Sequence, residues 1–134
     1  MKQVIDDVVA FHRRFSLLLA ARPTLLSAQA WQLRSTLLQE ELAELEQAYQ
    51  QADPVKIADG LLDAIFVLVG TAVSSGLDLG AMWPAVVEAN MAKTEADESG
   101  KPTKPDGWVG PEAWIAEIIQ AGTVRWEDKP EGDQ

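Results

Sequence analysis

Two short runs of this chain hold six carboxylates, and five of them have types and spacing that could do chemistry together. "QEELAELEQ" carries Glu40, Glu41 and Glu44, and "ADGLLDAIFVLVG" carries Asp59 and Asp63. On a helix, at about 100° per residue, Asp59 and Asp63 share one stripe with Phe66 and Gly70. Like charges so placed repel even when exposed. An unpaired carboxylate taken into an apolar interior must either neutralise or find a cation. Four carboxylates from two antiparallel helices would offer oxygen ligands alone, which suits Mg²⁺ or Mn²⁺. Facing helices of a bundle are a common place to assemble such a site.

Blander readings compete. Glu-rich helices usually present a solvated face. Here Trp31, Leu38, Leu42, Leu45 and Tyr49 form an apolar stripe, and Glu41 and Glu44 fall beside it, interleaved with Leu33, Leu37 and Ala48. That places them on a partly buried flank, with Glu40 at its edge and Glu46 on the surface. Asp59, near a helix start, could simply complement the N-terminal dipole; Asp63 is too far along for that. Asp63 could instead form a buried ion pair with Arg34 or Arg13. The lone His12 reads as a packing or surface residue rather than a ligand.

The elements that must position these residues are all helical. Val4, Val8, Phe11, Phe15, Leu18 and Leu19 recur at helical spacing and predict a first helix over 4–21, closed by "ARPT". Ser27 is an N-cap for a long second helix reaching about Gln51. Asp53 and Pro54 open a third that runs to about Ser75 and stops at Gly76. With Leu61, Ile65, Leu68, Val69 and Ala72 opposite its acidic stripe, that helix is apolar on nearly all sides and belongs inside a bundle. A fourth helix covers roughly 81–94, with Pro84 early in it. A Lys-, Pro- and Gly-bearing loop follows over 95–110. Pro111 and Gly122 bracket a short last helix over 111–121, and 123–134 reads as a flexible acidic tail. No strand-like alternation or internal repeat is present. The expectation is one all-α domain over 1–122, like a four-helix bundle with a short extra C-terminal helix.

Composition narrows the function. At 134 residues and 47% hydrophobic content the chain can bury a core. Its formal net charge of −10 argues against wrapping a nucleic-acid polymer or lying on an anionic membrane. No uninterrupted apolar run approaches the roughly 18 residues a membrane span needs, and the N-terminus lacks the pattern of a signal peptide. The absence of cysteine removes disulfides, thiolate metal sites and cysteine nucleophiles, and fits a cytoplasmic protein. An acidic chain that binds a phosphorylated small molecule needs cations in between. Lys101 and Lys104 stand out as such cations; their loop could close over phosphates or serve as linker. Trp108 could stack on a base or pack the loop down.

The ordered set "FHR" (11–13), "RP" (22–23), "EELAE" (40–44), "ADGLLDAIFVLVGTAV" (58–73), "ANMAK" (89–93) and "GKPTKPDGW" (100–108) resembles the MazG-like all-α NTP pyrophosphohydrolase superfamily. That superfamily includes dimeric dUTPases and phosphoribosyl-ATP pyrophosphohydrolase. The resemblance spans roughly residues 11–108 and is closest to a MazG-like branch that includes dUTP-hydrolysing members. It implies Mg²⁺-dependent cleavage of a nucleoside triphosphate between its α- and β-phosphates, a nucleotide-pool house-cleaning reaction, in a homodimer or homotetramer. By position it makes Glu41, Glu44 and Asp63 metal ligands and Glu40 the residue that orients or deprotonates water. It associates Asn90 and Lys93 with substrate phosphates. The second acidic motif departs from the superfamily's ExxD: Gly60 stands three before Asp63, and the acid is Asp59. Two readings remain beside (d)NTP hydrolysis. One is phosphoribosyl-ATP as substrate, although the loop after "NMAK" fits the MazG-like branch better. The other is a catalytically silent helical module that binds a protein partner.

Overall fold

Ser27 and Asp53 open the two longest helices as N-caps. In the computed structural model, which describes residues 1–126, the Ser27 hydroxyl accepts from the Ala30 N–H and the Asp53 carboxylate from the Val55 and Lys56 N–H groups. These caps satisfy donors that a helix start leaves unpaired. The helices are α1 (Lys2–Arg14), α2 (Ala28–Gln50), α3 (Pro54–Ser74), α4 (Leu79–Met91) and α5 (Glu112–Ala121). The all-α expectation holds.

Local boundaries differ from the expectation in three places. The first helix ends at Arg14, not near residue 21, because Ser16 takes a left-handed conformation with φ 52°. Leu18 and Leu19 therefore lie beyond the helix, on a segment tied to α3 by Ser74 Oγ donating to the Leu18 carbonyl and by Ala20 N–H donating to the Val73 carbonyl. The fourth helix starts at Leu79 with Asp78 as its cap and stops at Met91. Beyond it, Thr94–Ala96 (β1) pairs antiparallel with Pro102–Thr103 (β2), a hairpin with no strand-like alternation to announce it. Its turn is made by Asp97, whose carboxylate accepts from the Ser99 and Lys101 N–H groups, and by Gly100 at φ 83°. Pro111 and Gly122 bracket α5 as expected, with Gly122 at φ 93°.

The chain groups into two compact units. The first is Met1–Leu77 with the segment from Thr123. In it α3 packs against both α1 and α2, and its core holds Ile5, Val8, Val9, His12, Ala48, Ala64, Val69, Ala72 and Val73. Gly76 closes α3 at φ +67°, buried against the backbone of Arg22 and Pro23. Residues 123–126, expected to begin a frayed tail, are instead tied down. Val124 N–H donates to the Ala21 carbonyl, and the Trp126 indole N–H to the Ala20 carbonyl. The remainder of the expected tail, 127–134, lies outside the described residues. The second unit is Asp78–Gly122, where α4 and α5 pack together around Met82, Ala85 and Ala89.

The expected burial of α3 on all sides is corrected. Leu61 (50% exposed), Leu62 (65%), Ile65 (45%) and Leu68 (49%) remain open within the single chain. By length and mean hydropathy α3 could cross a bilayer, yet two helices pack on it and it carries Asp59 and Asp63.

Candidate active site

The seam between α2 and α3 is set by which face of α2 turns inward. Arg34, Leu38, Glu41, Leu45 and Ala48 follow one another at helical spacing, and each is partly or fully buried. The stripe expected to be apolar and buried is largely exposed instead: Trp31, Leu42 and Tyr49 stand outside. Glu41 thus lies on the seam itself rather than on its flank.

Two contacts hold the register. Arg34 Nε donates to Thr71 Oγ1 at 3.0 Å, and its Nη2 to the Val67 carbonyl at 2.8 Å. Gly70 leaves the space that guanidinium occupies; a Cβ there would run into Arg34 and lie 3.0 Å from His12 Nε2. Arg34 is therefore a cross-brace between the helices, not the ion-pair partner of Asp63. Burial holds its pKa below the ordinary value. Arg13, the other arginine considered for that role, donates to the Trp126 carbonyl. Further along the seam, a Cβ at Gly60 would lie 3.4 Å from the Leu45 backbone. A side chain at position 60 would start in van der Waals contact with Leu45. One residue earlier, Asp59 faces the open groove, which is a physical reason for the acid to stand there.

The groove between α2 and α3, about 370 Å³, is lined by Glu44, Gln47, Ala48, Gln51, Lys56, Asp59, Gly60 and Asp63. Glu40, Glu44, Asp59 and Asp63 are exposed. Glu41 is partly buried, and its Oε2 is shut off from solvent without a hydrogen-bond partner. Burial pushes the Glu41 carboxyl above the ordinary carboxylate range, and the charges of Asp63, Glu44, Glu40 and Asp59 push it further the same way. All five carboxylates are thus gathered into one electrostatic neighbourhood. Among the described residues no three are drawn into a ligating group as the side chains stand. The donor set nonetheless fits a hard divalent cation: the acidic ligands offer oxygen alone, with no imidazole or thiol among the groove's lining, and one buried carboxylate oxygen lacks a partner.

Neighbouring residues complete the surroundings. Lys56, overlooked in the sequence, lines the groove; its spacing from Asp59 and Asp63 on one helix face was the available signal. Phe66, one turn beyond Asp63, meets Phe11 edge-on at 5.1 Å, and Phe11 meets Phe15 at 4.7 Å. His12 is buried, and its Nδ1–H donates to the Leu18 carbonyl at 2.9 Å. Desolvation lowers its pKa, so it packs as a neutral ring.

The second unit holds the expected phosphate-binding residues. Lys93 Nζ donates to Asn90 Oδ1 at 2.8 Å, and Asn90 Nδ2 donates back to the Val86 carbonyl. Lys104 stands over the Trp108 ring, while Lys101 engages the hairpin turn through its backbone. The Trp108 indole N–H donates to the Ala89 carbonyl at 2.7 Å, so Trp108 packs its loop onto α4.

The family model for phosphoribosyl-ATP pyrophosphohydrolase matches residues 8–90, more than half of the chain. The chain belongs to that family. The matched stretch contains α2 and α3 whole, and with them all five carboxylates and Asn90. Lys93, Lys101, Lys104 and Trp108 lie beyond it. Membership in the phosphoribosyl-ATP pyrophosphohydrolase family, which lies within the MazG-like superfamily, points to hydrolysis of a phosphoric anhydride in a nucleotide. No curated protein matches the chain significantly.

Proposed function

We propose that this protein is a Mg²⁺-dependent nucleoside triphosphate pyrophosphohydrolase that splits a (d)NTP, dUTP among the candidates, into the monophosphate and pyrophosphate. The observation that carries the reading is Glu41. A carboxylate on a helix seam, with an unpartnered buried oxygen and four other carboxylates acting on it, is costly unless a cation is part of the working state. Glu41, Glu44, Asp63 and Asp59 would hold Mg²⁺, with Mn²⁺ as a substitute. When bound, the metal lowers the pKa of water and offsets charge on the phosphates. Glu40, exposed at the edge of the group, accepts the proton of the attacking water as its oxygen bonds to phosphorus and the bridging P–O bond breaks toward pyrophosphate. The superfamily resemblance assigns Asn90 and Lys93 to phosphate charge, with Lys101 and Lys104 as further cations, and the Phe11–Phe15–Phe66 cluster of the first unit offers faces to a base.

Phosphoribosyl-ATP is the second reading, because the matching family model carries that description and the bond cleaved has the same chemistry. A panel of standard and damaged NTPs and dNTPs together with phosphoribosyl-ATP, incubated with Mg²⁺ and read as pyrophosphate and monophosphate, tests both. Pyrophosphate from a (d)NTP is expected. Cleavage of phosphoribosyl-ATP alone would move the assignment to the second reading. If every nucleotide stays intact, or only orthophosphate appears, the pyrophosphohydrolase reading is wrong and a non-catalytic module takes its place.

The open face of α3 supports a reading in which the chain self-associates. Leu61, Ile65 and Leu68 form a stripe on the side away from Asp59 and Asp63, and a second copy presenting the same stripe would cover it. Light scattering is expected to report a multiple of the 14.6 kDa chain mass, and Leu68→Glu to shift it toward the monomer. A native protein at monomer mass across micromolar concentrations would remove the self-association.

A further inference from the structure

The last turn of α4 leaves carbonyls without partners inside the helix, and one of them is claimed by an indole. Lys93 N–H, which an unbroken helix would aim at Ala89, donates to Asn90 instead. The Ala89 carbonyl accepts from Trp108 Nε1 at 2.7 Å. That bond fixes the plane of the Trp108 ring against the end of α4. Two ammonium groups then converge on the same ring: Lys93 Nζ lies 5.7 Å from its centroid and Lys104 Nζ 4.7 Å. Both distances fall within the reach of cation–π attraction.

The company these lysines keep is unexpected in so acidic a chain. Asp and Glu number 21 against 11 Lys and Arg. Yet among the described residues neither ammonium is ion-paired with a carboxylate. Glu88 and Asp106 line the hollow that Trp108 also borders, and neither takes up a lysine. An aromatic ring can attract two cations without neutralising either. A carboxylate partner would neutralise them.

We propose that Trp108 is a positioning residue for phosphate recognition: its indole, anchored on the Ala89 carbonyl, presents Lys93 and Lys104 as a pair of unneutralised cations to a polyphosphate chain. Two cations gathered on one ring favour a multiply charged anion over a single carboxylate or a monoester. The identity of the anion rests on the pyrophosphohydrolase reading; the pairing of the lysines does not. On this account Trp108 acts through the lysines and does not stack on the base.

Inorganic tripolyphosphate, titrated by calorimetry in EDTA-containing buffer, reads the pair without metal, base or turnover. Trp108→Leu removes both ring and anchor, and is expected to weaken tripolyphosphate roughly tenfold, two few-fold cation–π contributions combined. The nucleotide KM should rise by a similar factor, with kcat changing much less. Trp108→Phe keeps a ring face and should recover part of the loss. Lys104→Gln should weaken tripolyphosphate several-fold in the native background and by clearly less in the Trp108→Leu background. That coupling is a readout a merely structural tryptophan would not move.

Native-like tripolyphosphate affinity in Trp108→Leu would overturn the proposal, as would additive effects of the Trp108 and Lys104 substitutions. So would a Trp108→Phe variant that loses nucleoside binding while keeping tripolyphosphate, since that is the mark of base stacking. If Trp108→Leu does not fold, the Trp108→Phe and Lys104→Gln cycle decides by the same coupling. A protein inert toward every nucleotide that still shows the coupling would sink the enzymatic reading and leave this one standing.

Discussion

Glu41→Gln is expected to lose turnover by on the order of 10²–10³-fold while the helical fold survives and, in metal-free buffer at pH 8, melts at a higher temperature than the native protein. The two halves of that result have one cause. Glu41 sits on the α2–α3 seam with a buried, unpartnered oxygen, and burial followed by the charges of Asp63, Glu44, Glu40 and Asp59 raises its pKa. A raised carboxyl pKa means that the folded chain holds the proton more tightly than the unfolded one. Stability therefore falls as pH rises from the ordinary glutamate pKa through the raised one, and the whole deficit is present above it. Glutamine keeps the shape and removes the charge. The variant should gain nothing at pH values below the ordinary pKa and most at alkaline pH.

Divalent metal should reverse the order. Mg²⁺ in the millimolar range raises the native midpoint by mass action and leaves Glu41→Gln much less changed. Thermal melts at acid and alkaline pH, with and without Mg²⁺, read the stability half; pyrophosphate release reads the other. Full activity in Glu41→Gln would remove Glu41 from the site. An unchanged alkaline melting temperature would mean that its charge carries no cost in the fold.

Gly76→Ala is expected to cost about 2–5 kcal/mol. Gly76 ends α3 at φ +67°, where a Cβ is strained in any surroundings. The surroundings make it worse. That Cβ would run into the Arg22 carbonyl and the Pro23 nitrogen, which are backbone and cannot swing aside as a side chain can. The same crossing is fastened by Thr24 N–H donating to the Ser75 carbonyl at 2.8 Å, so relief would break a hydrogen bond as well. Since domains are stable by only about 5–15 kcal/mol, the midpoint should fall by roughly 10 °C or more. Gly100→Ala, also at positive φ but with no atom within 4 Å of the added Cβ, is the control and should lose much less. Equal melting temperatures for the two variants would show that the Arg22–Pro23 crossing yields.

Local chemistry was legible in the chain itself. Ser27 and Asp53 cap through bonds to residues two or three positions on, and Pro54, Pro111, Gly76 and Gly122 act through their own backbone angles at helix ends. That is why reading neighbours in order sufficed for them, and for the all-α class. Where local signals were weak the reading failed. Leu18 and Leu19 continue the apolar rhythm of α1, but Ser16 at φ 52° turns the chain before it reaches them. The hairpin at 94–103 depends on a turn, not on alternation.

The acidic runs divide in the same way. Residue types and helical periodicity alone determined that Glu41, Glu44, Asp59 and Asp63 could work together through oxygen. They could not determine which face of α2 meets α3, because Trp31, Leu42 and Tyr49 make as convincing an apolar stripe as the one that packs. The tertiary structure decided that, through the Arg34 brace to Val67 and Thr71 and the close approach at Gly60. It also decided that Arg34 spends its hydrogen bonds on α3 rather than on Asp63, and that Trp108 gathers two lysines. Periodicity lists candidates for a face; only a partner surface removes water from one of them, and that desolvation sets Glu41 apart from its four neighbours.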